Sequence, residues 1–230
     1  MGDVILTMRG INKTFPGVKA LSNVDFTLQS GEVHALMGEN GAGKSTLIKV
    51  LTGVEPLDGG TITLEGKEIL AKDPNHAVAL GISTVYQEVN LCQNLTVAEN
   101  IFVGRAPMKF GCVDWKKINK KAKEALLKLD IDIDVTKTLD SYSIAIQQMV
   151  AIARALDVSS KVLVLDEPTS SLDKNEVAKL FSVIRKLKEE GMAIVFVTHF
   201  LDQVYEISDR ITVLRNGHLV GEYEIENLPK

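Results

Sequence analysis

Cysteine is scarce in this chain of 230 residues, which holds only Cys92 and Cys112. Their spacing suits neither a metal-ligand set nor a disulfide framework, and points to a reducing compartment. Long apolar runs are missing as well. A run such as Ala193-Ile-Val-Phe-Val197 is strand-sized and far short of the ~18–20 residues that span a bilayer. The opening Met1-Gly-Asp-Val-Ile-Leu-Thr-Met8 places an acid before its short apolar run, unlike the basic start of a secretory signal. There is no excess of positive charge: 26 Lys and Arg face 30 Asp and Glu, a formal charge of −4. Broad attachment to nucleic-acid phosphates needs a basic footprint, so no nucleic-acid partner is expected. What remains, 45% hydrophobic and 24% charged, is ordinary globular composition with ample material for a core.

Three zones differ in texture. In residues 1–66, Val24, Phe26 and Leu28 alternate at period two, and Thr61-Ile-Thr-Leu-Glu65 repeats the pattern after Asp58-Gly-Gly60. These read as antiparallel strands with one wet face. Residues 88–157 read as a helical subdomain, with helices expected over 99–103, 115–129 and 143–156. Strand–helix–strand then returns. Val162-Leu-Val-Leu165 and residues 193–197 are solidly apolar, as parallel strands covered on both faces are. Between them a helix is expected over 174–189, because Val177, Leu180, Phe181, Ile184 and Leu187 recur at helical spacing. Asp173 with Glu176 supplies its cap and Gly191 its stop. Residues 210–215 and 218–222 flank Asn216-Gly217, a hairpin signal.

Gly38-Glu-Asn40-Gly41-Ala42-Gly43-Lys44-Ser45-Thr46 fits the pattern G-x4-G-K-[ST] in full, between a strand at 33–37 and a helix at 46–51, the context that confirms it. Glycines let backbone N–H groups curl around phosphate oxygens, and the helix N-terminus adds a favourable dipole. Lys44 supplies a point charge between the β- and γ-phosphates, and the Ser45 hydroxyl can ligate Mg²⁺. Val162-Leu-Val-Leu-Asp166-Glu167 ends a buried strand in two carboxylates. Beside the loop, Asp166 can hold Mg²⁺ through water and Glu167 can polarise the attacking water. An acidic pair also suits a helix N-terminus, but Pro168 and the unambiguous strand argue against that. The chain reads as a binder of a nucleoside triphosphate.

Taken with Gln87 in Val85-Tyr-Gln-Glu88, residues 143–156, Leu165-Asp-Glu-Pro-Thr169, Ser171-Leu-Asp173 and Thr198-His199, this order of motifs resembles the ATP-binding domain of ABC transporters over essentially the whole chain. Lys13-Thr-Phe-Pro-Gly-Val-Lys-Ala-Leu21, Asn94-Leu-Thr-Val-Ala-Glu-Asn-Ile-Phe102 and Gln147-Gln-Met-Val-Ala-Ile-Ala-Arg154 are similar to monosaccharide importers of the ribose, galactose and xylose type. Their two ATP-binding halves share one polypeptide of about twice this length, and the chain resembles the first half. Whether it is a piece of such a polypeptide or a half-size relative is open at this stage. The resemblance implies an α/β fold: a phosphate-loop core with a mainly parallel sheet, an antiparallel β wing and an inserted helical subdomain. A single nucleotide-binding domain over 1–230 is expected, with 1–87 and 158–230 as core and 88–157 carrying the signature segment.

Roles follow from the same resemblance. Phe15 stacks on adenine, with Val18 as an apolar wall. Gln87 approaches Mg²⁺ and the attacking water, and His199 contacts the γ-phosphate. ATP and Mg²⁺ are the implied cofactors. A separate permease docks near Glu88, Val89, Asn90 and Leu91, a second ATP-binding domain completes each site, and a sugar-binding protein acts indirectly. The implied location is the cytoplasmic face of the cell membrane. The function implied is ATP hydrolysis powering sugar import. Two alternatives stand beside it: a half that needs a partner half to hydrolyse, and a soluble ABC ATPase outside transport.

One segment departs from the family pattern. The signature that each subunit presents to its partner's ATP is usually Leu-Ser-Gly-Gly-Gln; here it is Tyr142-Ser143-Ile144-Ala145-Ile146. Ser143 keeps one hydroxyl donor. Both glycines, which permit close backbone approach to phosphate, are replaced, so the surface offered across a dimer is expected to be impaired while the chain's own loop is complete.

Overall fold

In the computed structural model, residues 2–86, 91–157 and 160–228 are described. In chain order, β1 (Val4–Phe15) and β2 (Val18–Gln29) form a long hairpin, followed by β3 (Val33–Met37) and helix α1 (Lys44–Leu51). Next come β4 (Gly59–Leu64), β5 (Lys67–Glu68), α2 (Pro74–Leu80) and β6 (Ile82–Val85). The middle zone holds α3 (Val97–Phe102), the short strands β7 (Met108–Lys109) and β8 (Cys112–Val113), α4 (Trp115–Leu127) and α5 (Ile144–Leu156). The chain closes with β9 (Val162–Asp166), α6 (Lys174–Glu189), β10 (Ala193–Val197), α7 (Leu201–Ile207), β11 (Arg210–Arg215) and β12 (His218–Glu224).

Two sheets dominate. The wing is antiparallel, in the order β2-β1-β4-β5, and the period-two residues Leu6, Met8, Val24, Phe26, Leu28, Ile62 and Leu64 bury its inner face. The other sheet runs β12-β11-β3-β10-β9-β6; all neighbours are parallel except β12, which returns antiparallel through the Asn216-Gly217 turn. Its central strands are covered on both faces, as their continuous apolar runs require. Val162, Val164, Val195 and Val197 pack with α1 and the wing, whereas Leu163, Leu165, Ile194 and Phe196 pack with α3 to α6. Phe181 of α6 meets Phe196 of β10 edge-on at 5.9 Å, a favoured aromatic geometry. This packing fixes the three strand ends that carry the site.

The helix caps follow the sequence closely. Asp173 and Glu176 form a capping box at the start of α6, and Ser143 is the N-cap of α5. Helix α3 begins two residues earlier than the spacing predicts, because Thr96 and Glu99 form a second capping box. Helix α4 stops at Leu127, with Asp130 in the left-handed region (φ 60°) turning the chain away. Helix α2, capped by Asp73 and ended by Gly81 at φ 100°, and the β7–β8 hairpin among the helices lie outside the elements that the sequence pattern predicts.

Candidate functional site

The sheet order explains why residues far apart in sequence meet. Strands β3, β10 and β9 are adjacent and parallel, so their C-terminal ends share one edge, the usual ligand edge of such a sheet. The loop 38–46 leaves β3, Thr198 and His199 leave β10, and Asp166 and Glu167 end β9. The next strand, β6, leads toward Gln87, which lies outside the described residues, as do Glu88, Val89 and Asn90.

At this edge residues 40–46 line an open cleft of about 460 Å³ together with Val18, Lys19, Ala20, Glu167, Asn216 and Gly217, within the size range of ligand clefts. Helix α1 starts at Gly43 with no side-chain cap, so its first N–H groups are oriented donors for an anion. Gly43 sits at φ 107°, and a Cβ there would lie 2.9 Å from both the Ala20 carbonyl oxygen and Leu21 Cδ2. Only glycine lets the loop lie this close to β2. Lys44 Nζ donates to the carbonyls of Gly38 (2.7 Å) and Glu39 (3.2 Å), which holds the ammonium over the loop. The loop is clamped from the far side too: Gly217 N–H donates to Ala42 O (3.0 Å), and Ser22 N–H to Gly217 O (2.8 Å). The sequence marks Asn216 and Gly217 only as a turn. Their place in the cleft comes from the sheet order, which sequence spacing does not reveal.

The carboxylates are set by backbone geometry. Glu167 adopts φ 48°, unusual for a residue with a side chain and a sign of local strain. Its N–H donates to Val197 O at 2.9 Å, which ties the end of β9 to the end of β10. The Glu167 carboxylate consequently faces the cleft, with Oε1 3.2 Å from His199 Nδ1. Asp166 is partly buried, and burial pushes its pKa up, with the neighbouring Glu167 charge adding to this and Lys44 and Lys49 opposing it. Beyond it, Thr169 donates to Gln203 Oε1 (2.7 Å), joining the segment after β9 to α7.

The available donors suit Mg²⁺ better than a soft metal, since Ser45 and Asp166 offer oxygen alone. Among the described residues no cluster of three or more His, Cys, Asp or Glu could hold a metal by itself. An ion held by one or two protein oxygens and the phosphates of a bound nucleotide needs no such cluster. Phe15 pairs with Val18 across the β1–β2 turn, beside the cleft; Val18, 61% exposed, lines it. Ser143 is not among the lining residues. It lies exposed at the start of α5, its hydroxyl not engaged as a cap.

These features define a nucleotide-binding core of the phosphate-loop class. The family model for the ABC transporter ATP-binding domain, described as "ABC transporter", matches residues 21–170, and the chain belongs to that family. It is 57% identical over 226 residues to the galactofuranose transporter ATP-binding protein YtfR of Escherichia coli strain K12, covering 98% of this chain and 45% of that protein. The fructose import ATP-binding protein FruK of Bifidobacterium longum is 55% identical over 230 residues, covering 98% and 44%. The chain therefore spans less than half the length of these relatives. Among solved structures, the dimeric post-hydrolysis state of the ATP-binding cassette MJ0796 bound to ADP and Pi superposes with a TM-score of 0.81 at 25% identity, covering 97% of this chain and all of that one.

Proposed function

We propose that this chain is a single nucleotide-binding domain that binds and hydrolyses ATP to power import of a monosaccharide through a separate membrane permease. The observation that carries the hydrolytic part is that Glu167 lines the same cleft as the phosphate loop, while His199, outside that lining, reaches Glu167 from the end of β10 with Nδ1 3.2 Å from Oε1. The loop N–H groups and Lys44 hold the phosphates. Glu167 orients and polarises water, and His199, within reach of Glu167, positions it against the γ-phosphate. Mg²⁺, when bound between Ser45, Asp166 and the nucleotide, neutralises phosphate charge. Gln87 completes that set in this proposal. Phe15 and Val18 form the adenine wall. The names of the relatives, galactofuranose and fructose carriers, favour a monosaccharide as cargo.

A head-to-tail dimer, like other dimeric cassettes, places Ser143 and the α5 N-terminus of one copy against the other's ATP. A reading in which this domain hydrolyses well only beside an intact partner half is favoured by one observation. Ile144 is 51% exposed next to Ser143, whereas the Cβ of Ala145 is buried in the protein's own core. The obstacle to a partner's phosphate is thus the isoleucine rather than the alanine. The test is reconstitution of the full-length ATP-binding protein with its permease in vesicles. ATP-dependent uptake of a monosaccharide that stops with Glu167→Gln is expected; uptake unaffected by that substitution would refute the hydrolytic role.

A further inference from the structure

The β7–β8 hairpin and the helix after it have no part in the site. Their surface is nonetheless unusual. Phe110 is 96% exposed at the hairpin tip, with Met108 at 60% and Trp115 at 53% beside it in sequence. Isolated exposed apolar residues need no explanation, but three large ones within eight residues, at the tip, the base and just beyond one hairpin, point to an interaction surface.

The turn itself adds an independent observation. Lys109 pairs with Cys112, leaving Phe110-Gly111 as a two-residue loop with φ 51° and 81°. Such turns favour Asn or Asp at the first position, and a bulky side chain at positive φ is disfavoured. The same protein obeys the rule at Asn216-Gly217, where φ is 49° and 74°. At Phe110 the chain accepts both a disfavoured backbone and a phenyl ring 96% exposed to water, with Lys109 Nζ 5.8 Å from its centroid. A structural turn gains nothing from that.

Charge indicates the occupant. Residues 105–123 hold Arg105, Lys109, Lys116, Lys117, Lys120, Lys121 and Lys123 against the single acid Asp114, a formal +6 in a chain of −4. All seven cations are exposed. Arg105, Lys120 and Lys123 have acidic partners at 3.3 to 3.9 Å, but among the described residues Lys116, Lys117 and Lys121 have none. The inner face of α4, through Ile118, Ala122 and Leu126, is buried. Its lysines therefore stay at the surface while the hairpin tip projects apolar groups. Exposed Trp and Phe beside clustered lysines fit an anionic lipid surface: aromatic side chains sit at headgroup depth and lysines meet lipid phosphates.

We propose that the 108–121 region is a membrane-surface contact, in which Phe110, Met108 and Trp115 insert at the headgroup level and Lys109, Lys116, Lys117 and Lys121 bind anionic phospholipid. The contact is independent of nucleotide. It would orient the domain beneath the bilayer, separately from its permease.

The test is co-sedimentation of the chain with vesicles of zwitterionic phospholipid, with and without about one-third anionic phospholipid. Wild type is expected to bind the anionic vesicles and to leave them as salt rises. Phe110→Asn, which suits the turn and should fold at least as well, is expected to lower partitioning about tenfold or more. Lys116→Gln with Lys117→Gln should remove the anionic preference. Wild type remaining in the supernatant, or binding unaltered in Phe110→Asn, overturns the proposal. Capture by detergent-solubilised permease that depends on Phe110, with vesicles ignored, also overturns it in favour of a protein partner. Nucleotide binding, measured in parallel on each variant, reports separately on the ATP site.

Discussion

Replacing Gly43 by alanine separates a glycine required by close packing from one required only by conformation. At position 43 the new Cβ would lie 2.9 Å from the backbone oxygen of Ala20 and 2.9 Å from Leu21 Cδ2. The leucine end can give way, but the carbonyl belongs to β2 and is held in the wing. Forcing an L side chain into a left-handed conformation costs about 1–2 kcal/mol, and overpacking a tight contact costs about 1–3 kcal/mol. Gly41, at φ 81°, has nothing within 4 Å of its Cβ position, so Gly41→Ala incurs only the first cost. For a chain of this length each kcal/mol moves Tm by roughly 2–4 °C. Thermal unfolding should place Gly43→Ala at roughly 4–20 °C below wild type, and Gly41→Ala at roughly 2–8 °C below. The relief of the clash also moves the start of α1 away from β2. Misplacement on the order of 1 Å can cost about a hundredfold in rate, so nucleotide affinity and turnover should fall with Gly43→Ala. Equal Tm values for the two variants, or wild-type nucleotide binding by Gly43→Ala, would refute the packing argument.

Three further outcomes follow from the site and core. Asp166 holds its proton more tightly folded than unfolded, because burial and Glu167 raise its pKa; its ionised form therefore destabilises the fold as pH rises above the ordinary Asp value of about 3.9. Asp166→Asn should be at least as stable as wild type at pH 7 and lose Mg²⁺-dependent nucleotide affinity, while the stability difference shrinks toward acid pH in chemical denaturation. Arg210 is buried against Glu32, at 3.1 Å, and also meets Glu222 and Glu224. Arg210→Met leaves those carboxylates uncompensated and should cost about 3–5 kcal/mol in denaturant midpoint analysis, without a direct contact to the cleft. Ile144→Gly should raise the turnover of the chain acting with itself, read in a steady-state phosphate-release assay, and unchanged turnover would show that the exposed isoleucine is no obstacle.

His34 gives a pH effect of the opposite kind. It is fully buried, Nε2 lies 2.7 Å from Thr212 Oγ1, and burial lowers its pKa. Nδ1 lies 3.2 Å from Glu32 Oε1 but out of line for a hydrogen bond; burial, with the Arg210 charge acting in the same direction, outweighs the raising effect of Glu32. The unfolded chain takes up a proton near pH 6.5 that the folded chain refuses. His34 therefore contributes stability above that pH and loses it as pH falls.

Much of this molecule is legible in its residues where the physics is local. The phosphate loop, the apolar β9 ending in Asp166 and Glu167, and the α6 capping box all depend on side chains within a few positions of one another. The capping box at Thr96 and Glu99, and Asp73 ahead of Pro74, carry the same kind of local signal, which sets the start of α3 and of α2 where hydrophobic spacing alone does not. Other features are not local. Asn216 and Gly217 reach the cleft only because β11 lies beside β3. The closeness of Glu167 to His199 depends on β9 pairing with β10 in a register that sets Asp166 opposite Val197. The direction of the Ala145 Cβ, inward rather than toward a partner, depends on how α5 rolls against the core. Spacing alone does not fix that rotation.

The central claim is that this cleft hydrolyses ATP by means of Glu167. The most direct measurement is steady-state Mg²⁺-ATP turnover by the purified chain and by Glu167→Gln over a range of protein concentrations. The account predicts turnover that is weak, rises faster than linearly with concentration, and disappears in the variant while nucleotide binding persists. Equal turnover by wild type and Glu167→Gln would contradict it.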